Sequence, residues 1–510
     1  MRKALKRAAA RVALGLALAS GNQSYAQIEG QTAALSPTAT PAEKKESTFN
    51  TTRKLGPLDI SGSWRVRGEG WDWFQGGKGD SNYGLGHSLL RVAIGQQSER
   101  FDWHLEAAQD AIFALPVNAV VPAPQGQLGL GGTYYAANGN GRNNFNGFVR
   151  EAVVRFKKLG NGNLELGRFE FQDGTELIPQ DNTLATLVRT RIAQRLIGNS
   201  GWSAVGRTFD GVQFSYNFGN TNLTVMGARP TRGLYQIDAM GELDVDVFSG
   251  SLTMPFGSPH RPSELRLFST GYIDERTSVL KTDNRPQAVR AADNGNISVE
   301  TYGLDYLQVF NTQKYGKLDF LLWEALQTGS WGMQSHSAGA FFGEIGWQPP
   351  EKRLKPWISA GYSYGSGDAN PKDSHHGTFF QLIPTARPYA RFPFYNMMNN
   401  EDYYGTLVLR PHSNLSLRSE LHALRLARPA DLWYLGTGAF QPRTFGYTGR
   451  PSNGERSLAN VADVSADYQV TRSLGVSFYY AHAWGKSVIA EIYPTQPDSQ
   501  FAYVETNLHF

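Results

Sequence analysis

The 510-residue chain contains no cysteine, which excludes a disulfide framework, a thiol nucleophile and a thiolate-bound metal. It also lacks any run of about twenty apolar residues, so no helix is expected to span a bilayer. The mean hydropathy of −0.40 is too polar for a helical membrane protein. An excess of charge is missing as well. The 49 lysines and arginines exceed the 45 acids, but residues 1–26 hold five of those bases and none of the acids. Without that segment the balance is 44 against 45, and no basic character remains to argue for nucleic acid.

That segment reads as a secretory leader. MRKALKRAAARVALGLALAS places Arg2, Lys3, Lys6, Arg7 and Arg11 before a short Ala/Leu/Val/Gly run, which reaches the small-x-small site Ser24-Tyr25-Ala26. The mature chain is expected to begin near Gln27. Residues 27–56, rich in Thr, Ala and Pro and without period, are expected to be a disordered periplasmic lead-in. Residues 57–510 then form one domain.

What the chain does contain is 55 glycines, 12% aromatic residues and, from Leu58 onward, a persistent period of two. In LDISGSWRVRGEG, Ile60, Trp64 and Val66 oppose Arg65, Arg67 and Glu69. In FDWHLEAAQD, Phe101, Trp103 and Leu105 oppose Asp102, His104 and Glu106. In NLSLRSELHAL, Leu415, Leu417 and Leu421 oppose Arg418, Glu420 and His422. Such segments recur about eighteen times between 58 and 510. KLDFLLWEALQ shows no clean alternation, and LELGRFEF changes phase. Connections such as GQQSE, KLGNG, FGNT and VTR are short, and they alternate with long ones at 113–146, 172–205, 274–296, 367–400 and 428–455. A soluble β-sandwich has no reason for that asymmetry; a membrane barrel with tight periplasmic turns and long external loops does. The expected fold is therefore all-β: one antiparallel up-and-down transmembrane barrel of about eighteen strands, with a periplasmic N-terminus. The chain ends in FAYVETNLHF, an amphipathic strand closing on Phe510, as barrel strands read by an outer-membrane assembly machinery do. Trp71 and Trp73 are expected to close the outer end of the first strand, and Trp347 and Trp357 to flank the turn QPPEKRLKP, as interfacial aromatics.

Three stretches resemble the alginate export porin family. REAVVRF (150–156) with LELGRFEFQDG (164–174) is the first, and AGYSYGSGDAN (360–370) with TFFQLIPTARPY (378–389) the second. The third runs from ADVSADYQVT (462–471) through FYYAHAWGKSVI (478–489) to the closing strand. The resemblance implies an eighteen-stranded outer-membrane barrel whose arginine-lined lumen guides an anionic polysaccharide; the matching positions are Arg150, Glu151 and Arg168. Phe169 replaces the family's Gln, Arg387 its His, and the Glu of its E-L-D is lost.

Alternation alone also turns Arg65, Arg67, Arg91, Arg155, Arg207, Arg418 and Glu420 toward an aqueous lumen. A guanidinium offers a fork of donors matched to a carboxylate, so a ladder of them makes successive weak sites for a polyuronate or a smaller anion. The competing reading pairs these arginines with Glu69, Glu106, Glu151 and Glu420 to hold the wall. Glu242, Asp244, Asp246, Asp463 and Asp467 are also expected to face inward, making the lumen zwitterionic. His375-His376 lacks ligand spacing, Gly365-Ser366-Gly367-Asp368 does not join a strand to a helix, and no Ser/His/Asp set assembles. No metal, cofactor or catalytic residue is expected. A channel for an anionic polysaccharide or smaller anionic solute is the leading function, with outer-membrane lipid as surroundings and a monomer as the unit. The alternatives are a barrel enzyme or adhesin acting through its long loops, and a soluble glycan-binding β-protein.

Overall fold

The computed structural model describes residues 52–276, 278–312 and 314–510. The leader at 1–26 and nearly all of the lead-in lie outside the described residues. Arg53–Leu55, placed above in the lead-in, pair antiparallel with Leu58–Ile60, so a regular hairpin replaces disorder there.

Among the described residues, eighteen antiparallel strands close into a barrel. They are β1 Leu58–Asp72, β2 Asn82–Gln97, β3 Phe101–Phe113, β4 Asn144–Leu159, β5 Gly162–Phe169, β6 Phe209–Phe218, β7 Thr221–Pro230, β8 Val245–Ser258, β9 Arg261–Asp274, β10 Ile297–Thr312, β11 Gly316–Trp331, β12 Gln334–Gln348, β13 Trp357–Gly365, β14 Asn400–His412, β15 Leu415–Leu426, β16 Ser457–Gln469, β17 Leu474–Gly485 and β18 Asp498–His509. Each pairs with the next, and β18 returns to β1 from Asp72↔Gln500 to Ser63↔His509. Closure leaves no sheet edge to be satisfied in lipid. Beyond β18, the Phe510 N–H donates to Gly62 O at 3.0 Å and the Gly62 N–H to Phe510 O at 2.7 Å. A Cβ at Gly62 would stand 2.5 Å from the Phe510 ring, so the missing side chain makes room for the last aromatic. Among the described residues no helix is long and apolar enough to cross a membrane.

One end of the barrel carries short turns, from 98–100 and 160–161 to 470–473. The other carries long loops, with the tight turn Gly332-Met333 as the exception. Trp64 and Val66 point outward, 46% and 39% exposed, while Arg65, Arg67, Glu69 and Trp71 are buried inside. Trp71 and Trp73 are therefore core residues, not interfacial ones. Trp71 stacks on Phe501 at 3.9 Å, and Trp73 meets Phe74 edge-on at 5.0 Å. Trp357 is likewise buried, whereas Trp347 faces out at the short-turn end and donates to Tyr315 O at 2.9 Å.

The long-loop half of the interior is filled. Loops 170–208 and 366–399 dive into the barrel and pair in parallel at Ile197 and Ile383. Bonds from Gly198 N to Ile383 O (2.9 Å) and from Thr385 N to Gln194 O (3.0 Å) extend the contact. Phe379, Phe380, Leu382, Ile383, Phe392 and Phe394 are buried there. This explains KLDFLLWEALQ. On β11, Leu318, Phe320 and Leu326 face outward, while Leu321 and Trp323 face the loop core, so apolar residues stand on both faces and mask the alternation. Trp323 meets Phe379 edge-on at 6.4 Å.

Candidate functional site

The short-turn half of the lumen is built from charged wall residues. Arg65, Arg91 and Arg150 line one slot of about 20 Å3 with Leu89, Val205 and Asn507, room for about one water. The Arg91 Nε–H donates to Ser63 Oγ at 2.9 Å. Arg150 Nη1 donates to Glu106 Oε1 at 2.9 Å and Glu151 Oε1 at 2.6 Å, and its other nitrogen pairs with Glu170. Strict alternation would send Glu151 outward. The β3–β4 register shifts between Glu106 and Ala107, and this bulge turns both Arg150 and Glu151 inward. Arg155 bonds Glu165 at 2.7 Å. Arg418 bonds Glu420 at 2.6 Å, and Glu420 also receives Arg191 at 3.1 Å. The predicted inward arginines of the wall are thus largely paired with acids.

Arg65 and Arg67 do not face open water. Arg67 Nε donates to Glu505 Oε2 at 2.6 Å and Nη1 to Trp202 O at 2.8 Å, while Arg65 donates to Gly201 O. Both clamp residues 201–204 of an inward loop to the wall.

Two expected lumen residues lie elsewhere. Arg168 shares its face with Leu166 and, across β6, with Val212, both 38–42% exposed to the outside. It bonds Asp210 through Nε (2.7 Å) and Nη2 (2.6 Å) on the outer surface. Arg207 precedes β6, in the loop. It is buried without a carboxylate and donates to Gly198 O (3.0 Å), Ile383 O (2.8 Å) and Ala439 O (2.9 Å). Burial lowers its pKa to about 10. The acids at 242–246 are corrected too: Leu243, Val245 and Val247 face the loop core, Asp244 is exposed, and Asp246 points out to Arg229 at 2.6 Å. The interior at that level is apolar, so the phase of the strand inverts. Asp463 and Asp467 do face inward.

The loops bring cations that strand alternation does not reveal. Arg387 donates to Tyr503 OH at 3.0 Å and lies 4.4 Å over the Trp202 ring, whose centroid is 4.1 Å from the Arg67 guanidinium. Arg391 donates to Ser465 Oγ at 2.7 Å and sits 5.0 Å over Tyr479. Arg191 reaches Glu344 at 2.8 Å. A sequence signal existed: residues 182–209 contain four arginines and no acid, and 374–400 two arginines and no acid. His375 and His376 pair with the start of β12, and the His376 ring stacks on Trp331 at 4.2 Å; burial holds its pKa well below the usual value. A cavity of about 280 Å3 opens among the long loops, lined by Trp73, Tyr395, Tyr447, Arg443 and Arg450.

The closed barrel, its one-sided loops and its charged, loop-constricted lumen define an outer-membrane barrel of the porin type. Its fold is shared with OccAB2 of Acinetobacter baumannii (10% identity, 88% of this chain and 98% of that one, TM-score 0.53). OccK11 (OpdR) of Pseudomonas aeruginosa is also similar (10%, 91% and 99%, 0.51), as is OpdK of the same organism, solved with vanillate (9%, 88% and 98%, 0.51). No curated protein matches the sequence. The model of the family described as Alginate export matches residues 142–491. The chain belongs to that family.

Proposed function

We propose that the protein passes anionic solutes of uronate type across the outer membrane, with its short turns in the periplasm and its long loops outside. The observation that carries this is the charge of the inward loops, whose lumenal stretches 182–209 and 374–400 hold six arginines and no acid. The wall's acids pair most of its own arginines and the loop's Arg191, while Arg387 and Arg391 of the loops have no carboxylate in hydrogen-bond contact among the described residues. Arg387 and Arg391 rest on tyrosine and tryptophan faces, with Tyr503 and Ser465 as their hydrogen-bond partners. Cations held by neutral partners bind an anion weakly enough to release it, as conduction requires. The packed aromatic core of these loops favours monomers and short oligomers; a polymer passes only with the loops displaced.

Planar-bilayer recording in a salt gradient tests this. Wild type is expected to prefer anions, most strongly at low salt, because the field is screened over about 8 Å at physiological strength. The double variant Arg387→Ser/Arg391→Ser is expected to lower the anion-over-cation permeability ratio several-fold, and uronate oligomers of increasing length to slow conduction progressively. An unchanged ratio overturns the reading, and a closed bilayer favours the surface-acting alternative.

A further inference from the structure

We propose that His104, Glu106 and Glu151 form a lumenal binding site for a divalent transition-metal ion, with Zn2+ the best match. Period two places His104 and Glu106 on the inner face of β3, and the register sets Glu106 directly opposite Glu151 on β4. The bulge at Arg150 is what turns Glu151 to that face. Two carboxylates in direct cross-strand register repel one another, and a cation between them relieves this. Arg150 engages one oxygen of each, Glu106 Oε1 and Glu151 Oε1, at 2.9 and 2.6 Å, and the second oxygen of Glu151, Oε2, lies 4.0 Å from His104 Nε2.

One ligand atom from each of the three residues lies within 4.8 Å of the other two. Around Zn2+, with bonds of about 2.0–2.2 Å, ligand atoms stand roughly 3.4 Å apart, so a closure of up to about 1.4 Å is needed. The flexible glutamate stems supply it. An imidazole nitrogen with two carboxylate oxygens suits Zn2+ and disfavours Ca2+ or Mg2+, which take oxygen-only shells. The His104 side chain is 43% exposed to the lumen, so an ion arrives by water and a water completes its fourth position. The charge balance is favourable, since Glu106, Glu151 and Glu170 face Arg150 and the more distant Arg91, 4.0 Å from Glu106. The bound ion adds two positive charges beside those arginines, so it strengthens the preference of this half of the lumen for anions.

The test uses the purified, folded, full-length barrel in detergent and zinc chloride alone. After stripping with chelator, wild type is expected to take up about one Zn2+ per chain at micromolar concentration. His104→Ala and Glu106→Gln are each expected to weaken uptake at least tenfold, while His375→Ala, on an unrelated loop, keeps it. Cobalt substitution is expected to give the visible absorption of a four-coordinate site in wild type and His375→Ala, but not in His104→Ala or Glu106→Gln. Heat-modifiable migration confirms that each variant is folded. In bilayers, added Zn2+ is expected to raise the anion permeability ratio of wild type and leave His104→Ala unmoved. Absence of uptake by wild type, or equal uptake by His104→Ala, overturns the proposal. Because uptake is measured without conduction, this result stands apart from whether the protein carries uronates.

Discussion

The two halves of the barrel interior obey different rules. At the short-turn end the inward face is ionic and partly reachable by water: Arg155 and Glu165 retain 22% and 14% side-chain exposure, and Arg418 16%. At the long-loop end the inward face is dry and sealed against the loops, with Val245, Val247 and Trp331 fully buried and charges such as Asp274 and Asp402 paired to Arg276 and His422. A β-barrel strand therefore has no fixed polarity for its inner face. The face takes the polarity of whatever fills the lumen at that height, water at one end and folded loop at the other.

The most damaging way to break this contrast is at β1, where the ionic wall meets the loop. Arg67→Val removes a buried cation from Glu505 and Glu69 and from the Trp202 carbonyl. Stranding buried carboxylates costs about 3–5 kcal/mol. Its neighbour Val66 faces lipid, and Val66→Arg costs about 2–4 kcal/mol near the bilayer midplane. Alternation alone sets Arg67 in water and ranks the lipid-facing change as worse. The buried pairing predicts the opposite or equal rank. Denaturant unfolding in lipid vesicles checks it, and a nearly neutral Arg67→Val would mean that the clamp on residues 201–204 is loose.

A smaller effect, confined to the dry half, is expected at Arg207. Its guanidinium joins carbonyls of three chain segments, 198, 383 and 439. Arg207→Leu keeps the bulk and strands those acceptors, each worth about 1–3 kcal/mol when left buried and unsatisfied. The barrel is expected to remain folded while the loops detach, so conductance should rise and loops 170–208 and 366–399 become sensitive to protease. Unchanged conductance together with protease resistance would show that aromatic packing alone holds the loops.

The barrel was legible in the sequence because the alternation and the loop asymmetry are local signals repeated many times. The eighteen strands match the number of alternating segments expected between 58 and 510. The site was legible only in part, for physical reasons that differ from residue to residue. Glu151 needed a bulge, which depends on the partner strand. Arg168 follows a strand whose phase had slipped, and the Gly167 before it adopts φ +117°. Arg207 reads as a strand residue until the loop it belongs to is seen to turn inward. The cross-strand neighbour that completes His104 and Glu106 lies 45 residues on from Glu106 in the chain, at Glu151. Spacing within one strand does not reveal it.

The subtlest expected effect concerns Asp173, in the loop segment leading from β5 into the core. Its Oδ1 accepts the amides of Leu196 (3.3 Å) and Ile197 (3.0 Å), and its Oδ2 is buried without a partner. Burial pushes its pKa from 3.8 up to about 7, overcoming the attraction of Arg266; Glu176 adds to the rise. The sign follows from which state holds the proton more tightly. The packed loop does, so packing is firmest in acid and weakens as pH climbs from 3.8 toward 7, with no further change above. Asp173→Asn keeps an oxygen for the two amides and removes the ionisation. Wild type is expected to show loop cleavage by protease, or conductance, that increases between about pH 5 and pH 7.5, while Asp173→Asn holds near the acid-side level throughout. A pH response of equal size in both proteins would place the titrating group elsewhere, among the wall carboxylates of the wet half.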